Sequence, residues 1–202
     1  MDRLTEGYHR FRAEVWPAQR ARYEALSSDG QSPHTLVIAC SDYRVDPQTV
    51  FGAAPGELFV VRNIAGLVPT YEPDSHYHGT SAAVEYAVRV LKVPRVVVLG
   101  HAQCGGVQAM VEGAPAEAQD FVAPWMSMAR SVLNDDVHDH HAPGVLSRCE
   151  VAVVRLSLAN LMTFPWLAER VRAGDLVLAG FRFEIRTGIL ERLEDAGMVP
   201  VT

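Results

Sequence analysis

The sequence predicts an α/β fold: a mainly parallel central β-sheet flanked by helices, with an N-terminal helical arm. Two observations carry that expectation. Three short, nearly continuous apolar runs, HTLVIAC (34–40), ELFVVRN (57–63) and RVVVLGH (95–101), have the β-branched composition of strands buried on both faces. Between and around them lie stretches with helical spacing of apolar residues, and such alternation belongs to a parallel sheet covered on both sides.

Taken in order, Leu4, Tyr8, Phe11, Val15 and Trp16 recur at helical spacing over 2–27, and Pro17 is expected to divide that arm into two pieces. SSDGQSP (27–33) reads as a loop and 34–40 as the first strand. VDPQTVFG (45–52) is a short helix with Pro47 near its start, followed by the second strand, 57–63. An irregular stretch, 64–78, precedes a helix over 79–93 with Thr80 or Ser81 as the expected cap and Pro94 after its end. The third strand is 95–101. Helical segments are expected from 106, over 120–134 and over 147–173. The alternation of 175–193 reads as strands around a Thr187-Gly188 turn. With no repeat and no convincing linker, the expectation is one domain over 1–202: an arm (1–30), a core that carries the chemistry (34–110), and C-terminal helices and strands (147–202).

The bulk composition narrows the classes. Of 202 residues, 49% are apolar, enough for a substantial core, and the net charge of −6 argues against a nucleic-acid partner, which needs a basic surface. No apolar run reaches the roughly 20 residues a membrane helix needs. The N-terminus has no signal-peptide core, so the expected location is the cytoplasm, where three cysteines are not expected in structural disulfides.

Chemistry concentrates at two strand ends. Cys40-Ser41-Asp42 follows the first strand and His101-Ala102-Gln103-Cys104 the third, at the edge of an open α/β sheet where ligands bind. Thiolate, imidazole and carboxylate are zinc donors, and two such turns on neighbouring strands can close a tetrahedron. The plainer reading is that the cysteines are small buried hydrophobes and the histidine is a hydrogen-bonded strand-end residue. Ligand type and placement favour zinc. A cysteine-nucleophile loop ending in Arg44 is disfavoured, because only three residues, none of them glycine, separate it from Cys40. HDHH with its flanks (Val137 to His141) reads as a polar loop rather than a second metal site. Cys149 is expected to be buried, and Trp125, Met126 and Met128 are expected in the core.

ACSDYRVDP (39–47), VVRNIAG (60–66), YHGTSAAVEYAV (77–88) and GHAQCGGV (100–107) together resemble the β-class carbonic anhydrases, from about residue 30 to 110 and more weakly through SLANLMTFPW (157–166). The resemblance implies reversible, zinc-dependent hydration of carbon dioxide to bicarbonate and a proton, with a zinc-bound hydroxide as nucleophile. It implies Cys40, His101 and Cys104 as zinc ligands, with Asp42 either taking the fourth position or pairing with Arg44. In the plant-like branch it also implies Gln31 as donor to a substrate oxygen and Phe59 and Tyr86 as apolar pocket residues. Gly105 is counted with the substrate-binding residues, and with Gly106 it is expected to permit a tight turn behind the metal. The resemblance further implies a homodimer or higher homo-oligomer, with the arm wrapping a partner and the active site at the dimer interface. Two departures stand near the expected pocket: Tyr43 replaces a usual serine and Gly66 a usual asparagine. Val37 occupies the position of a tryptophan in the branch with a regulatory bicarbonate site, so no such site is expected. Two alternatives share the scaffold: a carbon disulfide or carbonyl sulfide hydrolase, and a catalytically silent zinc module.

Overall fold

The computed structural model describes residues 2–74, 76–136 and 143–202. A six-stranded sheet runs through them in the order β2-β1-β3-β4-β5-β6. β1 (Thr35–Cys40) lies parallel to both β2 (Leu58–Asn63) and β3 (Arg95–His101), and β4 (Val177–Glu184) lies parallel to β3. β5 (Ile189–Glu194) and β6 (Gly197–Pro200) add an antiparallel edge. Every residue of β1 is buried, as are all of β3 after Arg95, which is why both read as unbroken apolar runs. The chain leaves β1 for β2 on one side and reaches β3 on the other. The order therefore reverses between β1 and β3, and the crevice at their C-terminal ends is the natural ligand site of such a sheet.

Period-two alternation divides the core. Leu36, Ile38, Val96 and Val98 face a layer built from α4 (Gly79–Glu85), the π-turn Tyr86–Val90 and α9 (Pro165–Arg172). Val37, Ala39, Val97 and Leu99 face α5 (Gly105–Glu112), α6 (Val122–Ser127), α7 (Ser131–Asp136) and the inner side of α8 (Val145–Leu161). Two glycines let α8 approach the sheet. A Cβ at Gly100 would lie 2.6 Å from Val154 Cγ2, and one at Gly180 would lie 2.8 Å from Val154 Cγ1.

The arm comprises α1 (Asp2–Arg10), a π-turn over Phe11–Val15 and α2 (Trp16–Asp29), with the short α3 (Pro47–Val50) later in the chain. The arm does form two pieces, but the irregularity precedes Pro17. Pro17 has no N–H to donate back along the helix, and the Trp16 N–H instead donates to Phe11 O across a wider turn. None of these arm residues is buried, and Arg22 ties α2 to the body through Pro55 O (2.6 Å) and Glu57 (3.1 Å).

Several expected elements need correction. Segment 147–173 is two helices bent by 94°, because Pro165 restarts the chain as the first residue of α9. Segment 120–134 is divided between α6 and α7. Neither Thr80 nor Ser81 caps α4. The cap position falls on His78, and the Thr80 hydroxyl is taken by Asn63 Nδ2 at 3.1 Å. β6 was not anticipated. Met126 is buried as expected, but Trp125 is half-buried and Met128 is 38% exposed, both on the wall of a large cavity. No single described helix is long and apolar enough to cross a membrane.

Candidate metal centre

Cys40 is the last residue of β1 and His101 the last of β3, so adjacent parallel strands deliver both side chains to the crevice. Cys104 occupies the N-cap position of α5, three residues on. Their donor atoms all lie within 4.8 Å of one another, with Cys40 Sγ and Cys104 Sγ 3.9 Å apart. All three residues are buried.

The turn joining His101 to Cys104 is unusual. Its left-handed residue is Gln103 (φ 57°), not a glycine. Gly105 has open space around its Cβ position, whereas a Cβ on Gly106 would meet Ile64 Cγ2 at 2.7 Å and Ala65 Cβ at 3.1 Å. Neither glycine therefore makes the tight turn expected of both; both lie in α5, and Gly106 instead permits close packing against Ile64 and Ala65.

The orientation of His101 is fixed by its neighbour. Nδ1 lies 2.9 Å from Ala102 O, and a carbonyl only accepts, so Nδ1 carries the hydrogen. That leaves Nε2 as a bare lone pair, buried and without a hydrogen-bond partner. An orphaned acceptor beside two sulfurs is costly in a folded core unless something electropositive meets it. The donor set and this orphan nitrogen fit a bound metal ion.

The electrostatics agree. The hydrogen bond from Cys104 outweighs burial and draws the Cys40 thiol down to about 4, while the same contact, with burial, pushes Cys104 up. The two sulfurs thus part easily with one proton and hold the other, as a close like-charged pair must without a cation. Burial works against protonating His101, yet the Cys40 sulfur, the Ala102 carbonyl and Asp42 together raise its pKa.

Asp42 stands apart from the trio. Arg44 grips it as a fork, Nε to Oδ1 at 2.9 Å and Nη2 to Oδ2 at 2.6 Å, and the Arg44 backbone N–H adds a third bond to Oδ1 at 2.9 Å. Led by the Arg44 hydrogen bonds, these contacts hold Asp42 well below the usual carboxylate range. Arg44 Nη2 also donates to Gln103 O at 3.1 Å, linking the two site loops. Arg62 of β2 fixes the first loop by donating to Cys40 O, Asp42 O and Val45 O.

The remaining expected residues do not join this cluster within the chain. Gln31 is exposed, ahead of β1. Phe59 pairs with Leu36, four residues before Cys40, about 13 Å away along a strand. It stacks on Tyr86 (centroids 5.9 Å apart) against the α4 layer. Tyr43 points to solvent, 89% exposed. Gly66 is buried with φ 62°, its Cβ position 3.3 Å from the Ala39 backbone, so the departure from asparagine sits in a left-handed backbone position that asparagine also tolerates. A cavity of about 1000 Å³ opens beside the trio. Ser41, Asn63 and Ile64 line it with Trp125 and Met128, while the three candidate ligands do not. The segment Val137 to His141 lies outside the described residues.

Sequence reasoning missed Arg62 and a buried pair behind Cys104, Glu150 and Arg182. The available signal was an acidic residue inside the apolar run CEVAVV (149–154). Cys149 is buried as expected.

A protein-family profile described as "Carbonic anhydrase" matches residues 35–190. The chain belongs to the carbonic anhydrase family. A carbonic anhydrase of Pseudomonas aeruginosa is 36% identical over 197 residues, covering 96% of this chain and 87% of that protein. The solved structure of the β-carbonic anhydrase CcaA superposes with a TM-score of 0.90 at 30% identity, over 100% of this chain and 92% of that one. A tetrameric β-carbonic anhydrase from the filamentous ascomycete Sordaria macrospora superposes with a TM-score of 0.75 at 26% identity, over 98% and 99%. This β-carbonic anhydrase is thus a carbonate dehydratase, a metal-binding lyase acting on carbon dioxide and bicarbonate.

Proposed function

We propose that Cys40, His101 and Cys104 bind zinc, and that the Asp42–Arg44 pair directs hydration of carbon dioxide beside it. The observation that carries this reading is the His101 Nε2 lone pair, buried and unpartnered beside two sulfurs. Two thiolates on a tetrahedral zinc, at about 2.3 Å each, stand about 3.8 Å apart. The Cys40–Cys104 separation of 3.9 Å matches that spacing. When bound, the ion supplies the positive charge that brings ionisation of water towards neutral pH.

Asp42 then acts as an acceptor. Of its roughly four lone-pair positions, Arg44 occupies both on Oδ1 and one on Oδ2, leaving one on Oδ2 to accept from the attacking water and orient it. A carboxylate held so far below its usual pKa does not keep a proton, so Asp42 positions the nucleophile rather than storing the hydrogen released. The same Arg44 grip would hold Asp42 back from a bound ion, which supports the open arrangement of the site. Tyr43 and Gly66 do not narrow this site within the chain, so neither departure obstructs the approach of carbon dioxide.

Gln31, Phe59 and Tyr86 serve as substrate contacts in a second copy of the chain, the amide of Gln31 donating to the oxygen that gains charge and the rings forming an apolar wall. The exposed apolar residues of the arm, Leu4 and Tyr8 among them, support such an assembly. The reaction is assigned to the cytoplasm, where thiol ligands stay reduced.

Stopped-flow carbon dioxide hydration on metal-quantified protein, from about pH 6.5 to 9 to bracket the ionisation of water at a metal, tests the reading. Activity should rise with pH, track zinc content, and vanish in Cys40→Ser and His101→Ala. Zinc-loaded protein inactive throughout that range would overturn it.

A further inference from the structure

Glu150 and Arg182 are 3% and 7% exposed, and neither belongs to the machinery described above. Burying a carboxylate in an apolar helix face is costly, and the ordinary compensation is an ion pair. Arg182 meets Glu150 Oε2 through Nε (3.0 Å) and Nη2 (2.9 Å). Arg182 does not depend on Glu150 for neutralisation, because Glu191 lies 2.8 Å from Nη1 and Glu184 3.3 Å from Nη2. The second oxygen of Glu150 leaves the pair: Oε1 accepts from the Cys104 backbone N–H at 3.4 Å.

That contact falls on the strained part of the site, the Gln103–Cys104 turn with φ 57° at Gln103. From the opposite side, Arg44 donates to Gln103 O at 3.1 Å. Two charged groups thus hold one turn between them, and α8 reaches it because Gly100 and Gly180 admit the helix closely. We infer that Glu150 is a positioning residue for the metal site: it fixes the Gln103–Cys104 turn, and through that turn both the Cys104 sulfur and the Arg44 grip on Asp42. The inference rests on the proposed reading of Cys40, His101 and Cys104 as a zinc site.

Glu150→Gln tests it. An amide has a single acceptor atom, so it cannot meet Arg182 with one oxygen and the Cys104 N–H with the other as the carboxylate does. Charged Arg182 takes the oxygen, and the NH2 group is left facing the Cys104 N–H. Zinc transfer to a chromogenic chelator is timed on zinc-loaded protein, alongside kcat/KM for hydration. Glu150→Gln should release zinc about tenfold faster or more, with a parallel fall in kcat/KM, as supports of metal ligands do. Glu191→Gln neutralises another Arg182 partner without touching the turn, and should stay within about twofold of the wild type. If Glu150→Gln does not fold, Glu150→Asp keeps the charge for Arg182 but is too short for the turn, and the same acceleration is expected. Wild-type release rates in the Glu150 variant, or equal acceleration in Glu191→Gln, would overturn the inference while leaving the zinc reading intact. A wild-type protein that binds no zinc would overturn both.

Discussion

Replacing Arg44 by lysine separates charge from geometry at this site. Arginine gives Asp42 two side-chain bonds, at 2.9 and 2.6 Å, and spends Nη2 a second time on Gln103 O. A lysine ammonium retains the charge and one bond to the carboxylate, but it has no planar fork to hold both oxygens. Losing one arm of the charge-assisted fork should lower kcat/KM about tenfold or more if Asp42 orientation controls the step. The Arg44 side chain reaches solvent, so screening keeps the loss at the low end of what a charge-assisted bond contributes, about ten- to thirtyfold. Zinc content should not fall, because a loosened Asp42 can itself approach the metal. The assay is stopped-flow hydration normalised to zinc by atomic absorption. Activity within about twofold of the wild type would refute the argument that the fork matters. Loss of zinc in step with activity would show that Arg44 supports the fold of the site instead.

Metal affinity should depend on pH with a definite sign. The pKa of Cys104 is raised and its proton must leave on binding, so lowering the pH by one unit weakens zinc binding about tenfold per proton displaced; competition against a chelator that shows no such dependence would contradict this. The folded-state pKa of Asp42 is depressed, so its stabilisation is complete above the ordinary carboxylate value near 4 and is lost as pH falls further. Asp42→Asn should therefore flatten the acid limb of a melting-temperature profile, and an unchanged limb would count against the pair as a stabilising contact. Gly180→Ala places a Cβ 2.8 Å from Val154 and should cost about 1–3 kcal/mol, or roughly 2–12 °C in melting temperature for a chain of this size; an unaltered melting temperature would mean that α8 shifts freely. Co-expressed Cys40→Ser and Gln31→Ala subunits should regain about a quarter of wild-type activity, since random pairing makes half the dimers mixed, each with one intact site. Activity no higher than that of the single variants would place Gln31 outside the site of a second copy.

The parts of this structure legible in the sequence are those set by local pattern. Buried parallel strands announce themselves as apolar runs, so β1 and β3, and with them the addresses of Cys40 and His101, could be placed before any coordinates. Asp42 and Arg44 pair across two residues, a distance the chain itself enforces. Glu150 and Arg182 are 32 residues apart and meet only because α8 crosses the sheet over two glycines. No periodicity encodes that crossing. The π-turn before Pro17 was likewise hidden, because proline signals an interruption without fixing where the helix accommodates it. Met128 was misplaced for a related reason. Its neighbour Met126 is buried, but on a six-residue helix the next side chains turn outward to a cavity wall.

The direction of the sheet explains why the two halves of the expected substrate site are apart in one chain. A parallel strand presents its C-terminal end to one edge of the sheet and its N-terminal end to the other. Cys40 ends β1, while Gln31 precedes its start at Thr35, and the five steps between Thr35 and Cys40 span about 17 Å. Phe59 lies level with Leu36, on the side facing α4, so it shares the separation. No side-chain rotation in a single subunit closes such a gap. A two-fold axis would, because it can set the Gln31 end of one copy against the metal end of another and repeat the exchange in reverse. On that account the exposed arm and the substrate amide follow from one constraint. If Gln31 and Phe59 act in a second copy as proposed, the monomer would assemble its metal ligands alone but need another chain to hold carbon dioxide against them, so dilution should abolish hydration before it releases zinc.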